Sequence, residues 1–364
     1  MLHTTQFIRE HGMEALTEQY GIKIKAYPEH GLYVLNYDQI ESEKAHPIVI
    51  ECRGLIVDCT GDVVSRSFDR FFNLHEQPDT HSHLDMRKAV CYEKLDGSLI
   101  KVYCYNGVWY CSTRGTAFAE SHVNGFDITF QQLVYQALNI SSEEEFQQLW
   151  HNPSLTYIFE LCAPQNRVVV RYSEPKLYLL AIRHKNGEYV PEHMHSILFE
   201  SRGVLLPKKY TFSTTEECVE TANALPDMQE GWVVYQDDRP VCKVKSASYL
   251  ICHRTRGEGL TPKRIAELVV QGEEEEYLSY FEEDAHLFAE YVEKFAELLA
   301  QMKEVWENTK HIEGQKEFAL AVKEYIFSAS LFYARKHGTD VVHEWNKQST
   351  ERKADMLCSY IKEV

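Results

Sequence analysis

Residues 91–103 read CYEKLDGSLIKVY, and the folding of this stretch decides the architecture around it. Val90, Tyr92, Leu99, Val102 and Tyr103 favour extended backbone, while Asp96-Gly97-Ser98 interrupts them as a turn does. The plain reading is a β-hairpin with a solvated lysine, Lys94, on its shoulder. The alternative makes Lys94 a nucleophile beside an acidic turn. That chemistry needs a free amine, so a pKa of about 10.4 must fall through desolvation or neighbouring cations. The rest of the chain has to decide.

At 364 residues the chain has room for two domains, and 44% hydrophobic with 26% charged residues describes an ordinary globular composition. No apolar run approaches a membrane span, so no membrane partner is expected. The start, MLHTTQFIREHG, lacks the apolar core of a signal peptide. Ten cysteines without a CxxC pair suit a reducing compartment, and a cytoplasmic location is expected (the host cytoplasm for a phage-encoded chain). The net charge of −17 disfavours loose binding of nucleic acid. Any such site must be a local cluster of cations in a repelling field.

The first two thirds read as short strands punctuated by Gly, Asn or Pro. The expected strands lie at 31–37, 46–58, 89–103, 107–113, 155–163, 167–172, 176–183, 231–237 and 240–246. Asn-Gly at 106–107 and 186–187 signals hairpin turns. Helices are expected to start at the capping boxes Ser142–Glu145 and Ser213–Glu216. After residue 255 the pattern becomes helical. Thr261-Pro262 opens a helix, and an apolar stripe from Tyr277 to Val305 recurs at helical spacing among acidic residues. The expected division is a mixed domain over 1–255 and an all-helical domain over 256–364.

Several charged groups stand out against the apolar strands. Lys243 and Lys245 alternate in VCKVKS and should share one face, an unusual aim for two ammonium groups unless an anion lies between them. Glu160 in IFELCAP and Glu230 in MQEGWVVY sit in apolar surroundings, where a carboxylate needs a partner. His75, His81, His83, His193 and His195 lack Cys or carboxylate partners at structural-zinc spacing and read as surface histidines. The acidic run Glu273–Glu276 reads as a solvated helix start.

In order, EKLDGS, IFELCAP, EGWVVY and CKVKS resemble motifs I, III, IV and V of the covalent nucleotidyltransferases, the superfamily of ligases and RNA capping enzymes. Upstream, ECRGLIVD (51–58) and SFDRFFNLHE (67–76) resemble segments preceding the active lysine in the phage T4 RNA ligase 1-like family. The resemblance covers roughly residues 50–250. One departure is Arg70, where the family often has lysine, which exchanges an ammonium for a planar fork.

The resemblance implies an α+β fold, a mainly antiparallel, ATP-grasp-like nucleotidyltransferase domain followed by an all-α C-terminal domain. It implies an ATP-dependent RNA ligase that carries covalent AMP on Lys94 and uses Mg²⁺ or Mn²⁺. Lys243, Lys245 and Glu230 join Lys94 as catalytic groups, with Glu160 and Glu230 near the metal. Glu160 is also expected at the ribose hydroxyls, Arg53, Arg70 and Arg114 around phosphates, and Phe72 near the adenine. Asp96, Gly97 and Gly231 shape the backbone beside the nucleotide. The implied partner is RNA with 5′-phosphate and 3′-hydroxyl ends, such as a nicked tRNA in RNA repair, working with a polynucleotide kinase-phosphatase. The helical domain would recognise that RNA. The rival readings are a capping-type guanylyltransferase, a DNA ligase, or a non-catalytic RNA-end-binding protein.

Overall fold

The computed structural model describes residues 2–38, 41–74, 76, 83–123, 126–195, 203–226, 228–250, 260–274, 277–278, 281 and 284–363. The chain divides into two units, Met1–Ile251 and Cys252–Val364. The expected boundary near 255, like His75, His81, Glu275 and Glu276, lies outside the described residues.

Among the described residues the first unit holds thirteen strands. The first four are β1 (Ile22–Tyr27), β2 (Leu32–Tyr37), β3 (Arg53–Asp58) and β4 (Val63–Ser65). They form an antiparallel sheet in that order. Then come β5 (Phe72–Asn73), β6 (Val90–Glu93), β7 (Ser98–Tyr105), β8 (Val108–Thr113), β9 (Leu155–Cys162) and β10 (Lys176–His184). The last are β11 (Lys209–Tyr210), β12 (Gly231–Gln236) and β13 (Arg239–Lys245). A four-stranded sheet runs β10-β9-β7-β8 and a five-stranded one β11-β6-β12-β13-β5.

CYEKLDGSLIKVY is therefore not a hairpin. β6 and β7 lie in different sheets, and Lys94 to Gly97 cross between them. Helices Phe130–Leu138 and Glu143–Gln148 cover one face of the four-stranded sheet, packing Leu133, Val134 and Phe146 against Ile100, Val102 and Phe159. Helix Thr215–Asn223 covers the five-stranded sheet through Cys218 and Ala222 against Cys91, Trp232 and Cys242. The opposite faces remain to build a site. They meet through Phe68, Ile158 and Ala181, with Leu180 and Tyr235 packed alongside.

Some elements differ from the sequence reading for local reasons. The segment 46–58 begins as a helix, Pro47–Glu51, because His46 caps it and Pro47 occupies its first turn. The segment 167–172 is not a strand. The N–H groups of Val169 and Val170 donate to the Asp96 carboxylate, each at 2.6 Å, instead of to a sheet. Helix Thr215–Asn223 is capped by Thr214, one residue later than expected, and Glu217 reaches back to the Ser213 N–H. Ser142 caps its helix as expected, but the return bond from Glu145 goes to Ser141. Asn106-Gly107 makes its turn with both residues at positive φ, 51° and 80°.

In the second unit Thr261 caps helix Pro262–Gln271 as read. The long helix is Ala285–Thr309, followed by Gln315–Val322, Ser328–His337, Val341–Asn346 and Thr350–Glu363. Phe288, Leu298, Met302, Leu331, Trp345 and Leu357 are buried in this unit. Among the described residues no helix is long and apolar enough to cross a membrane.

Among the glycines of the described strands, the one with least room for a side chain is Gly231, opposite Lys245. Its φ is +131°, and an added Cβ would stand 2.0 Å from the Val244 carbonyl oxygen. Gly231→Ala should therefore cost about 1–3 kcal/mol, as overpacking does, read as a lower urea midpoint. An unchanged midpoint would show that the two strands can part freely here.

Candidate active site

The site grows from the place where three strands end. Lys94 follows β6, Glu230 precedes β12, and Lys245 ends β13. The Lys94 N–H donates to the Gly231 carbonyl at 2.8 Å, and Ser246 N–H to the Glu230 carbonyl at 2.8 Å. This ladder brings both ammonium groups to one carboxylate. Lys94 Nζ lies 2.7 Å from Glu230 Oε2 and Lys245 Nζ lies 2.9 Å from Glu230 Oε1. Glu230 is only 4% exposed, so its charge depends on those two partners.

Beside this triad a cavity of about 150 Å³ is lined by Arg53, Lys94, Glu160, Lys243 and Lys245. Phe68, Phe71, Tyr92 and Tyr235 supply its aromatic wall, with Leu180 and Val233 between them. Lys243 and Lys245 do share one face of β13, as their alternation required. Lys243 Nζ sits 5.0 Å from the Phe71 ring centre. Glu160 Oε1 accepts the Gly97 N–H at 3.0 Å. A planar group between apolar walls and an anion among the cations would both fit here.

The charge states are set by burial and crowding. Burial and then the Arg53, Lys94 and Lys245 cations push the Lys243 ammonium down to about 7. Burial, with Glu230 and Asp96 adding to it and Lys94 opposing, raises the Glu160 carboxyl to about 7. Burial also works against the Glu230 carboxylate, but Lys94 and Lys245 outweigh it and hold the group below its ordinary range. Lys94 runs against the sequence expectation. Burial lowers it, yet Glu230 and Glu160 more than compensate, and the amine is raised rather than lowered. The protein alone thus keeps Lys94 as an ammonium.

Other expected residues support the cavity without lining it. Asp96 is 3% exposed and accepts from Val169, Val170 and the Tyr249 hydroxyl, the last at 2.8 Å. Arg70 lies over the rings of Tyr37 and Phe72, at 4.8 and 4.9 Å, and pairs with Glu76 at 3.1 Å. It lines an adjoining, more open cavity of about 740 Å³ that shares Phe71. Phe72 is 4% exposed and packed beneath Arg70, so Phe71 and Phe68 form the wall instead. Arg114 is exposed at the end of the β8 hairpin, its carbonyl accepting from Asn36 at 2.9 Å. His195 is buried, 6% exposed, against the Val190 carbonyl, contrary to the surface reading.

Tyr249, Lys101 and the Phe68–Phe71 wall were not anticipated. The alternation Val233–Tyr235 in GWVVYQ could have announced the wall, since it repeats the spacing of Lys243 and Lys245. Tyr249, whose ring lies 5.1 Å from Lys245 Nζ, has no such signal.

For a divalent cation the protein offers a sparse donor set. Among the described residues no group of three or more His, Cys, Asp or Glu could hold one. Both Glu230 oxygens face ammonium groups, which leaves Glu160 as the better donor. That suits a Mg²⁺ ion held by one or two carboxylates together with substrate phosphates and water.

A family model for RNA ligases of the T4 RNA ligase 1 type matches residues 51–250. The chain is 38% identical to a putative bifunctional polynucleotide kinase/RNA ligase of Autographa californica nuclear polyhedrosis virus, across 100% of this chain and 54% of that protein. It therefore spans about half the length of that relative. It is 28% identical to an RNA ligase of Rhodothermus phage RM378, covering 84% of each. An archaeal ATP-dependent RNA ligase structure aligns at 15% identity and a TM-score of 0.47, over 100% of this chain and 81% of that one, too distant a likeness to carry weight.

The depressed Lys243 gives a stability test. Its folded pKa, about 7, lies below the ordinary 10.5, so the unfolded chain holds a proton that the folded chain gives up. The penalty on folding is full below about pH 7 and fades as the pH rises to about 10.5. Lys243→Met should raise the thermal midpoint above wild type at about pH 6, with the two converging near about pH 10. A variant less stable than wild type at the lower pH would contradict the assignment.

Proposed function

The chain belongs to the T4 RNA ligase 1-like family of RNA ligases, and on that premise we propose that it seals RNA ends with ATP through Lys94. The observation that carries the reading is the Lys94–Glu230–Lys245 cluster opening onto a cavity rich in cations.

In the proposed sequence the Lys94 amine attacks the α-phosphorus of ATP, a P–N bond forms, and pyrophosphate leaves. AMP then passes to the 5′-phosphate of an RNA strand, freeing Lys94. A 3′-hydroxyl attacks that activated phosphate, a phosphodiester forms, and AMP leaves. Splitting one condensation this way is covalent catalysis. Arg53, Lys243 and Lys245 neutralise the charge on the transferring and leaving phosphates. The aromatic wall, with Leu180 and Val233, receives the base, and the Glu160 carboxylate accepts from the ribose.

Before attack Lys94 must lose the proton that Glu230 and Glu160 now favour. A divalent ion arriving with the nucleotide, held by Glu160, would supply the positive field that favours the neutral amine. Glu230 meanwhile keeps Lys245 beside Lys94, so the displaced partner stays in reach.

The helical unit carries none of these groups, and we assign it to RNA-substrate recognition, a nicked tRNA being the substrate in mind. The viral relative is named for both a kinase and a ligase activity, which supports preparation of the 5′-phosphate by a polynucleotide kinase. A cytoplasmic site of action fits the many cysteines outside disulfides.

Lys94→Ala should abolish joining of 5′-phosphate RNA while leaving partial sealing of RNA that is already adenylylated, a step needing no lysine nucleophile. Gel assays of the two substrates side by side decide this. Loss of both activities in a folded variant, or retention of both, would refute the assigned role.

A further inference from the structure

We propose that Lys101 is a positioning residue for phosphate binding, pinning the Arg53–Gly54 backbone from the middle of β7 so that Arg53 faces the cavity. The proposal rests on the ligase reading for its ligand, a nucleoside triphosphate.

β7 is buried on both faces. Ile100, Val102 and Cys104 pack towards the helices. Lys101 alternates onto the other face with Tyr103, which packs against Leu32, Val34 and Ile56 of the first sheet. Lys101 is 0% exposed, an unusual fate for lysine. Among the described residues no carboxylate pairs with it. Its ammonium has one hydrogen-bond acceptor there, the Gly54 carbonyl on β3. Burial and then Arg53 push it down to about 7, so the fold bears a cost at this position. A methionine would fill the same space without that cost.

What the hydrogen bond reaches explains the choice. Gly54 follows Arg53, which lines the cavity and whose buried Nη1 has no hydrogen-bond partner among the described residues. An unsatisfied buried donor aimed into a cationic cavity calls for an anion. Gly54 also lies against Arg114, since an added Cβ would stand 2.9 Å from the Arg114 carbonyl oxygen. One bond from Lys101 therefore fixes the backbone of the arginine that lines the cavity. It ties β3 to β7 at the point where the first sheet contributes to the cavity.

The test is a double-mutant cycle on the full chain, with inorganic triphosphate and ATP as probes in isothermal titration. Lys101→Met should weaken triphosphate binding about tenfold or more, because misplacing a phosphate-binding group is costly. In an Arg53→Ala background the same substitution should add nothing further, since Lys101 acts through Arg53. Lys101→Gln, which keeps a donor without the charge, should lose less than Lys101→Met, and it carries the cycle if the methionine variant misfolds. Equal losses in both backgrounds, wild-type affinity in the methionine variant, or no triphosphate binding by wild type would overturn the proposal. Triphosphate binding without any lysyl-adenylate would overturn the ligase reading instead, and the cycle would still decide Lys101.

Discussion

One buried carboxylate organises the site. Glu230, 4% exposed, holds Lys94 and Lys245 on its two oxygens, and its own charge survives only because both are present. Removing one partner of a buried pair costs on the order of 3–5 kcal/mol. The strands are therefore constrained to end where they do. Gly231 lets β12 approach β13, its carbonyl takes the Lys94 N–H, and the Ser246 N–H returns to Glu230. A slip of one residue in this register would turn Lys245 to the far face and leave the carboxylate half paired.

The same arrangement explains how a chain of net charge −17 can hold an anion. Arg53, Lys94, Lys243 and Lys245 converge on one cavity that Glu93 and Glu160 also line, with Glu230 paired to Lys94 and Lys245 beside it. Two signs of strain appear in the protein alone: Lys243 gives up its proton near neutral pH, and Glu160 takes one. Both would relax when phosphates and a cation enter. On the proposed reading, the ligand completes the charge distribution of this site.

Much of this was legible in sequence because alternation and motif order are local. The shared face of Lys243 and Lys245, the turn at Asn106-Gly107 and the cap at Thr261 all came from neighbours within a few residues. What failed was decided at a distance. RVVVRY has strand composition, yet Asp96, over seventy residues away in sequence, claims its N–H groups. The lysine motif looked like a hairpin because no local signal says that its two strands join different sheets. Lys94 was expected to be acidified by desolvation or neighbouring cations, but Glu230 lies closer than the sequence could indicate, and it reverses the sign. Phe71, just before β5, lines the cavity while its neighbour Phe72, in β5, is buried beneath Arg70, and composition alone could not choose between them.

The central claim is that Lys94 forms a covalent bond to AMP within this cluster. Its most direct test is intact-mass and peptide-mapping mass spectrometry of the wild-type chain after incubation with ATP and Mg²⁺. The account predicts a single added AMP, located on the peptide containing Lys94 and lost again on adding pyrophosphate. No adduct, or an adduct on any other residue, would contradict it.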